Sequence, residues 1–343
     1  MKSPTRLGGF KILKDVVWIS LIQPKKNFIF PTAFSSFIAE EGINVPFMTC
    51  GEQNLAWGLN LVVEAGDAKK TSNLIEKKLG KINLSTAKGA ILSIFPHRSK
   101  PEIIGTLLDV LGKLGGQPIA FANSPSAISA VLREDVVNEA TNALFDPFEF
   151  GPYRTPADWK LAQKGKEKLY KEVIASYQEK KPKVYGLDWQ DEQALIHIKL
   201  DRVHLSKMGT ALKHFAQLGL VLTFFISRPS KEKNKGNLFF CLPESNRHNY
   251  IGIIQELLPE ASTIEDHSVA TFSMNGPHFG DRYGIISELL TALNGVQVDL
   301  LGLSCSIHSI TGVLPASQAQ PAIRAIQGCF EVPSVIKKTT NQP

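Results

Sequence analysis

The stretch from Asn275 to Gly284, NGPHFGDRYG, has the composition of a ligand-binding loop. It leads into an apolar segment that reads as a helix, and a helix N-terminus offers free backbone N–H groups and a partial positive charge to a carboxylate. Its glycines allow a ligand to approach the backbone closely, and a carboxylate of the chain can receive an ammonium group. The chemistry that fits is recognition of a small zwitterion, with Asn275, Gly276, His278, Gly280, Asp281 and Tyr283 as candidate ligand-binding residues.

Three polar residues in the following segment extend this candidate site: Asp299, Ser304 and Ser306. Asp299 can add a cation contact, and the two serines can donate or accept hydrogen bonds. Structural roles compete with these assignments, because Asp281 is also a preferred helix N-cap. His278 can likewise pack the loop, and the Ser304 hydroxyl can bond within the fold.

The sequence lacks the short signatures of common catalytic sites. It has no P-loop, no dinucleotide glycine fingerprint, no HExxH and no GxSxG, and its acidic residues are scattered. We therefore predict that the chain is not an enzyme and has no catalytic residues, and we expect no cofactor. The four cysteines, Cys50, Cys241, Cys305 and Cys329, form no CxxC pair, so we expect no metal site and instead buried free thiols in a reducing compartment.

Length and composition indicate several small globular domains. A chain of 343 residues usually divides into more than one core, and 43% hydrophobic with 20% charged residues is globular composition. The net charge of +6 comes from lysines in connecting segments, so we expect no nucleic-acid partner. No stretch approaches the roughly 20 apolar residues of a spanning helix, and we expect a cytoplasmic protein without a membrane partner.

Hydrophobic periodicity predicts a repeated unit of strand, helix, strand, strand and helix. In the first copy the strand covers Asp15 to Gln23, the helices cover Pro31 to Glu41 and Ala68 to Leu79, and two strands lie between them. We predict an α+β fold of ferredoxin-like βαββαβ modules, four in tandem as two pairs joined by a helical connector. The expected boundaries are 9–86, 87–150, 188–266 and 267–338 for the modules and 151–187 for the connector. The connector can be a docked linker or a basic helix that grips an acidic partner.

Several segments resemble the regulatory ACT domains at the C-terminus of aspartokinases. Residues 37–45 (FIAEEGINV) resemble the family's helix-to-strand signature, and residues 296–310 (VQVDLLGLSCSIHSI) and 123–132 (NSPSAISAVL) resemble its effector-site strands. The N-terminal LGGFKILKDVVWISL is similar to the stretch that joins an aspartokinase catalytic domain to its sensors. An aspartokinase would also need its own amino-kinase domain, for which we expect no room here. The resemblance implies that effectors bind where a helix start meets the second strand of a neighbouring module.

The third copy resembles the phenylalanine-sensing ACT domain of prephenate dehydratases and aromatic amino acid hydroxylases. The likeness lies in a Gly-x-Ala-Leu helix start and a Ser-Arg-Pro turn, which implies ligand-binding roles for Gly209, Ala211, Leu212, Ser227 and Arg228. Arg228 can instead brace the turn before Pro229.

The resemblances imply a stand-alone regulatory protein that binds an amino acid between paired modules and controls a separate biosynthetic enzyme. Repeats three and four are expected to form the binding pair, the candidate effectors are phenylalanine, lysine and threonine, and a homodimer is expected. The alternative is a structural or adaptor protein without a ligand that scaffolds an enzyme. An RNA-binding module of the same fold is disfavoured, because such modules stack bases on sheet aromatics and these strands are mostly aliphatic.

Overall fold

The computed structural model describes residues 4–24, 30–53, 55–96, 99–114, 119–124, 126–151, 153, 155–163, 181–232, 234–276, 279, 283–307 and 309–338, with the backbone alone at 160–163, 266 and 267. In the first half of the chain the elements are β1 (Thr5–Leu7), β2 (Gly9–Pro24), α1 (Phe30–Glu40), β3 (Phe47–Gln53), β4 (Ala56–Glu64), α2 (Ala68–Leu79), β5 (Ser85–Phe95), α3 (Pro101–Lys113), β6 (Ala120–Asn123), β7 (Ile128–Arg133), α4 (Val137–Ala143), β8 (Phe148–Phe150) and α5 (Pro156–Gln163). In the second half they are β9 (Gly186–Asp201), α6 (Leu205–Gln217), β10 (Phe224–Arg228), β11 (Lys235–Pro243), α7 (Arg247–Leu257), β12 (Ser262–Asn275), α8 (Ile285–Gly295), β13 (Gly302–Ser306), β14 (Ser309–Pro315), α9 (Ala319–Cys329) and β15 (Val335–Lys337).

The order strand, helix, strand, strand, helix therefore starts at β2, β5, β9 and β12. We call β2 to α2 repeat one, β5 to α4 repeat two, β9 to α7 repeat three and β12 to α9 repeat four. The predicted helix Ala68–Leu79 matches α2 at both ends, and α2 stops at Gly80, whose φ of 81° suits a residue without a side chain. Of the predicted connector helix, the structure describes α5, and residues 164–180 lie outside the described residues.

Two kinds of strand pairing join the repeats into one closed sheet. First strands pair within each half of the chain, β2 with β5 and β9 with β12. Second strands pair between the halves, β3 with β13 and β6 with β10. Because β11 also pairs with β9, the series of pairings returns to its starting strand, and β15 adds in parallel to β9. The repeats thus cover one another's sheet edges, which would otherwise expose unpaired backbone groups.

First strands are longer than their apolar patterns predict. The prediction placed them at Asp15 to Gln23 and at Ala194 to Leu200, whereas β2 and β9 begin at Gly9 and Gly186. Each contains a residue with positive φ, Asp15 at 57° and Glu192 at 57°, and the pairing of β2 with β5 shifts register at that point. Such irregularities break the alternation of apolar and polar residues that identifies a strand in sequence.

Both faces of the closed sheet are buried. Helices of repeats two and three cover one apolar core outside the sheet, and helices of repeats one and four cover another. The inner face carries smaller clusters, which include Ile91 and Val131 on one side and Phe224 and Phe239 on the other. Burial on two faces explains near-continuous apolar runs such as the one at 238–242. Phe30 and Phe34 are each 1% exposed and belong to the core that repeats one and four share.

Helices α3 and α6 cross at two glycines. A Cβ atom placed on Gly209 would lie 2.5 Å from the carbonyl oxygen of Gly105, and the reverse distance is also 2.5 Å. The helix backbones therefore touch at this point, with room for no side chain on either helix. Beside the crossing, Asp109 of α3 accepts hydrogen bonds from Ser206 Oγ at 2.5 Å and Lys213 Nζ at 3.0 Å.

In the described part of the chain, no helix is both long and apolar enough to cross a bilayer.

Substitution Gly209→Ala is expected to destabilise the fold by about 1–3 kcal/mol, because the new methyl group overpacks the crossing. The matched control is Gly252→Ala in α7, where a Cβ would meet no atom within 4 Å, and alanine should stabilise that helix by up to about 1 kcal/mol. Urea unfolding of both variants measures the difference. Equal stability of Gly209→Ala and the wild type would mean that the helices can separate at no cost.

The thiols of Cys50, Cys241 and Cys305 are buried, as the sequence predicts, and none of them forms a disulfide in the described chain. Cys329, which was also expected to be buried, is only partly so. Burial raises the pKa of Cys50 and of Cys305 to about 12, from 9.0. The folded chain therefore keeps these protons above pH 9 where the unfolded chain releases them, so their contribution to stability is complete below pH 9 and falls as the pH rises toward 12.

We expect Cys50 and Cys305 to resist a disulfide reagent at pH 8 in the native protein, because the thiolate is the reactive form. All 4 cysteines should react once the chain is unfolded in denaturant. Absorbance of the released thiolate counts the reactive groups, and rapid labelling of Cys50 in the native protein would contradict the burial described here.

Candidate functional site

Two concave sites lie where second strands join the repeats. The first, which we call the arginine pocket, lies between repeats two and three. It is an open concavity of about 420 Å³, a volume that includes the solvent at its mouth, and is lined by Ile119, Phe121, Leu200, Arg202, Leu205, Ser227, Arg228, Gly236, Asn237 and Leu238. The second, the serine groove, lies between repeats one and four. It is likewise open, with about 400 Å³ including solvent, and is lined by Phe34, Ser35, Ile38, Ala39, Ile43, Val45, Met48, Phe279, Tyr283, Gly284, Ile285, Ile286 and Ser287. The sequence analysis paired repeats three and four at the site. The structure differs, since these two repeats meet through their first strands and each site forms with a repeat from the other half of the chain.

Strand ends set the positions of the polar groups in the arginine pocket. Arg202 directly follows the last residue of β9 and precedes α6, so it stands where a strand turns into a helix. Its Nε donates to the carbonyl oxygen of Lys235 at 3.5 Å, and in the described part of the chain it pairs with no carboxylate. Burial lowers the pKa of Arg202. A half-buried guanidinium without an anion is a natural partner for a carboxylate.

Arg228, the last residue of β10, is the second cation of the pocket. It is 8% exposed, and its Nε donates to Gly51 O at 2.9 Å while its Nη2 donates to Ala56 O at 2.7 Å. Burial lowers the pKa of Arg228 to about 10, although the charge of Glu52 opposes the shift. Nη1 donates to no group in the described part of the chain, so the guanidinium keeps hydrogen-bonding capacity for a ligand.

Ser227 connects three repeats through its main chain and side chain. Its Oγ accepts from the backbone N–H of Phe121 at 2.7 Å, and its carbonyl oxygen accepts from Thr49 Oγ1 at 2.9 Å and Asn60 Nδ2 at 3.0 Å. Asn60 also donates to Thr49 Oγ1 at 3.1 Å and accepts from Trp18 Nε1 at 3.2 Å. This buried network fixes β10 against repeats one and two, and with it the wall of the arginine pocket.

The serine groove has fewer polar groups and no charged side chain among its lining residues. Helices α1 and α8 form it, and they contact through Ser36 Oγ and Ser287 Oγ at 3.2 Å. Tyr283 is 57% exposed at its rim. At the end of β12, the Oδ1 atom of Asn275 is buried and has no hydrogen-bond partner in the described chain. The groove suits an apolar group more than a free charge.

Several predicted site residues have partners inside the fold. Ser304 Oγ donates to Asn123 O at 2.9 Å, Ser306 Oγ lies 2.9 Å from Ser309 Oγ, and Asp299 Oδ2 accepts from Gln318 Nε2 at 2.9 Å. In α6, Gly209, Ala211 and Leu212 are buried and take part in helix packing. Gly276 lies against the backbone of Lys183 and the ring of Phe279. His278, Gly280 and Asp281 lie outside the described residues.

Of the predicted residues, Ser227 and Arg228 line the arginine pocket and Tyr283 lines the serine groove. Sequence reasoning missed Arg202, Asn237, Ser35 and Ser287. Arg202 could have been predicted as a site residue. It lies between β9 and α6, and the argument that a helix start attracts a carboxylate, applied above to the loop before α8, also holds there. Nothing in the sequence marks Asn237, whose Nδ2 donates to Pro229 O at 2.9 Å.

One group of residues has the spacing of metal ligands. In the described chain, Asp201, His204 and Glu260 offer ligand atoms that lie within 4.8 Å of one another. Lys235 Nζ already bonds Asp201 Oδ2 at 3.0 Å, and Glu260 is exposed. An ion-paired surface cluster accounts for these residues without a metal.

Comparison with known proteins relates this fold to aspartate kinases. No protein-family model and no curated protein matches the sequence. The crystal structure of aspartate kinase from Synechocystis aligns with 100% of this chain at a TM-score of 0.78 and 15% identity, and the chain spans 58% of that protein. The ligand-free regulatory subunit of aspartate kinase from Thermus thermophilus aligns with 43% of this chain and 98% of its own at 16% identity, with a TM-score of 0.38. The mixed α/β fold is thus similar to that of an aspartate kinase.

This comparison overturns the prediction that the chain is not an enzyme. The structure that matches its whole length belongs to an aspartate kinase, which is an enzyme. The prediction relied on the absence of short catalytic signatures, and a fold shared at 15% identity need not keep such signatures. The shared fold assigns no reaction to this chain.

Substitution Asn60→Ala is expected to destabilise the protein by about 2–4 kcal/mol, because it removes three buried hydrogen bonds and strands their partners. The control, Asn249→Ala on the exposed face of α7, should stay within about 0.5 kcal/mol of wild type. Chemical denaturation compares the two, and a loss below about 0.5 kcal/mol in Asn60→Ala would refute a structural role for the network.

Proposed function

We propose that this chain is a regulatory region of four ACT modules, at 9–86, 87–150, 188–266 and 267–338, with a connector at 151–187, and that it binds an amino acid in the arginine pocket. One observation carries the proposal. Two guanidinium groups, those of Arg202 and Arg228, border a pocket of about 420 Å³ whose other walls are mainly apolar. Cations beside an apolar wall are complementary to a carboxylate that carries a hydrophobic side chain.

The chemistry of the walls ranks the candidate effectors. Phe121, Leu200, Leu205 and Leu238 offer an apolar surface, which favours phenylalanine, in line with the resemblance of repeat three. Lysine would bring a second cation toward two arginines, a like-charge arrangement that is unfavourable. The serine groove, which Tyr283 lines, is a second effector site in this proposal, for an amino acid with an apolar side chain. The predicted residues Asn275, Gly276, Asp299, Ser304 and Ser306 belong to the same repeat, and His278, Gly280 and Asp281 lie outside the described residues.

Regulation would follow from unequal affinity of the effector for two arrangements of the repeats. Effector binding between β6 and the start of α6 would favour the arrangement in which repeats two and three are tightly joined. The unit controlled would be an aspartate-kinase-type catalytic unit or a separate biosynthetic enzyme. A cytoplasmic location and a homodimer belong to the same proposal.

A structural adaptor without a ligand is the second candidate. It is favoured by the contacts of Asp299, Ser304 and Ser306, each of which bonds a group within the fold. The polar groups of these residues have hydrogen-bond partners within the fold and therefore need none from an effector.

A thermal-shift panel of the twenty amino acids, followed by calorimetric titration, tests the first candidate. A binding amino acid raises the melting temperature by mass action. Arg202→Gln should raise the Kd of that amino acid by roughly 10- to 100-fold, because it removes charge-assisted hydrogen bonds. Arg324→Gln, an exposed arginine on α9, is the control and should leave the Kd unchanged.

Two results would decide against the arginine pocket. A panel in which no amino acid changes the melting temperature would favour the adaptor. Equal affinity in Arg202→Gln and wild type would move the site elsewhere, with the serine groove as the next place to test.

A further inference from the structure

Arg228 belongs to the arginine pocket and to repeat one at the same time. Its side chain starts from β10 of repeat three, borders the pocket and ends on the turn side of the β3–β4 hairpin. Both of the hydrogen bonds that its guanidinium donates in the described chain go to that hairpin, at Gly51 O and Ala56 O. The lining of the pocket comes from repeats two and three, and Arg228 links it to repeat one through a charged side chain, beside the main-chain link that Ser227 O makes to Thr49 and Asn60.

The hairpin is shaped to receive this side chain. Gly51 and Gly58 face each other across β3 and β4, and a Cβ on Gly58 would lie 2.4 Å from Arg228 Cγ and 2.5 Å from its Nε. A Cβ on Gly51 would lie 2.7 Å from the ring of Phe239, which belongs to β11 of repeat three. Two facing glycines therefore create a socket that any larger residue would fill.

We infer that Arg228 couples the arginine pocket to repeat one: an anionic ligand in the pocket holds the guanidinium in the Gly51–Gly58 socket and thereby tightens the β3–β4 hairpin. This inference rests on the proposed function of the pocket. The guanidinium is buried with carbonyl oxygens as its direct partners, and carbonyls do not neutralise its charge. The charge of Glu52 offsets this burial only in part. A ligand carboxylate on Nη1, which donates to no group in the described chain, adds a direct anionic partner and lowers the cost of keeping the cation in the socket.

The coupling reaches a second site through β3. This strand lies between β4 and β13, and Met48 of β3 lines the serine groove on the other side of the sheet from Arg228. Tightening β3 therefore fixes one wall of the serine groove and the junction between repeats one and four. Occupancy of one site is expected to change affinity at the other by the same factor in both directions.

Hydrogen exchange followed by mass spectrometry tests the coupling in the full chain. Saturating phenylalanine, with lysine and threonine in parallel, should slow exchange of the backbone amides in Phe47–Gln53 and Ala56–Glu64 by roughly tenfold in the wild type, within the range of ordinary allosteric coupling. These amides lie outside the lining of the arginine pocket. Their slower exchange would therefore show that ligand binding affects the hairpin through the protein and not through direct contact with the ligand. Gly58→Ala places a methyl group against Arg228 Cγ and Nε and so displaces the guanidinium from the socket. The variant should bind the amino acid more weakly, through Arg202, and at saturating ligand it should lose most of this protection.

The matched control is Gly66→Ala, just after β4, where a Cβ meets no atom within 4 Å. It should bind and protect the hairpin as the wild type does. If an amino acid binds the wild type but hairpin exchange is unchanged, the coupling is wrong and the proposed pocket stands. If protection survives in Gly58→Ala, the signal does not pass through the socket. If none of the three amino acids binds the wild type, the coupling and its proposed ligand fall together.

Discussion

Closure of the sheet is the constraint on which the rest of the structure depends. Because strands β2 to β14 return to their starting point, each inner face is covered by other strands and each outer face by helices. A polar group inside such a shell cannot turn to solvent, so it must bond to another strand or remain unsatisfied at a cost. The contacts of Asn60, Thr49 and Ser227 meet this demand. They also decide which repeat faces which, since an apolar interior alone would not distinguish among four similar units.

Local elements were predictable from sequence because their signals are local. The helix at Ala68–Leu79 and its end at Gly80 depend on neighbours within a few residues. The pairing of repeats could not be predicted in the same way. Contacts between β3 and β13, or between Ser227 and Asn60, join residues far apart in the chain, and residue types such as Ser and Thr have no preferred distant partner. The sequence analysis paired repeats three and four at the effector site, whereas each concave site of the structure lies between one repeat of the first half and one of the second.

Some of the predicted site residues border a concave site, and others bond within the fold. Arg228 and Ser227 stood out as a turn motif and do border a pocket. Ser304 and Ser306 have the same polar character, yet β13 turns them toward Asn123 and Ser309. A hydroxyl group looks alike in sequence whether it faces a ligand or a neighbouring strand. The prediction that the chain is not an enzyme was wrong for a different reason. It relied on the absence of short catalytic motifs, and such motifs describe the chemistry of known sites and not the ancestry of a fold.

The buried charge of Arg228 gives the clearest link between stability and function. An apolar residue of similar volume in the same place would often be as stabilising or more so, since it carries no desolvation cost. Stability alone therefore does not explain why β4 gives up a side chain at Gly58 to seat a cation. In the coupling proposed above, a carboxylate that arrives in the pocket completes the neutralisation of this cation, and the junction of repeats one and three thereby responds to a ligand that never touches repeat one.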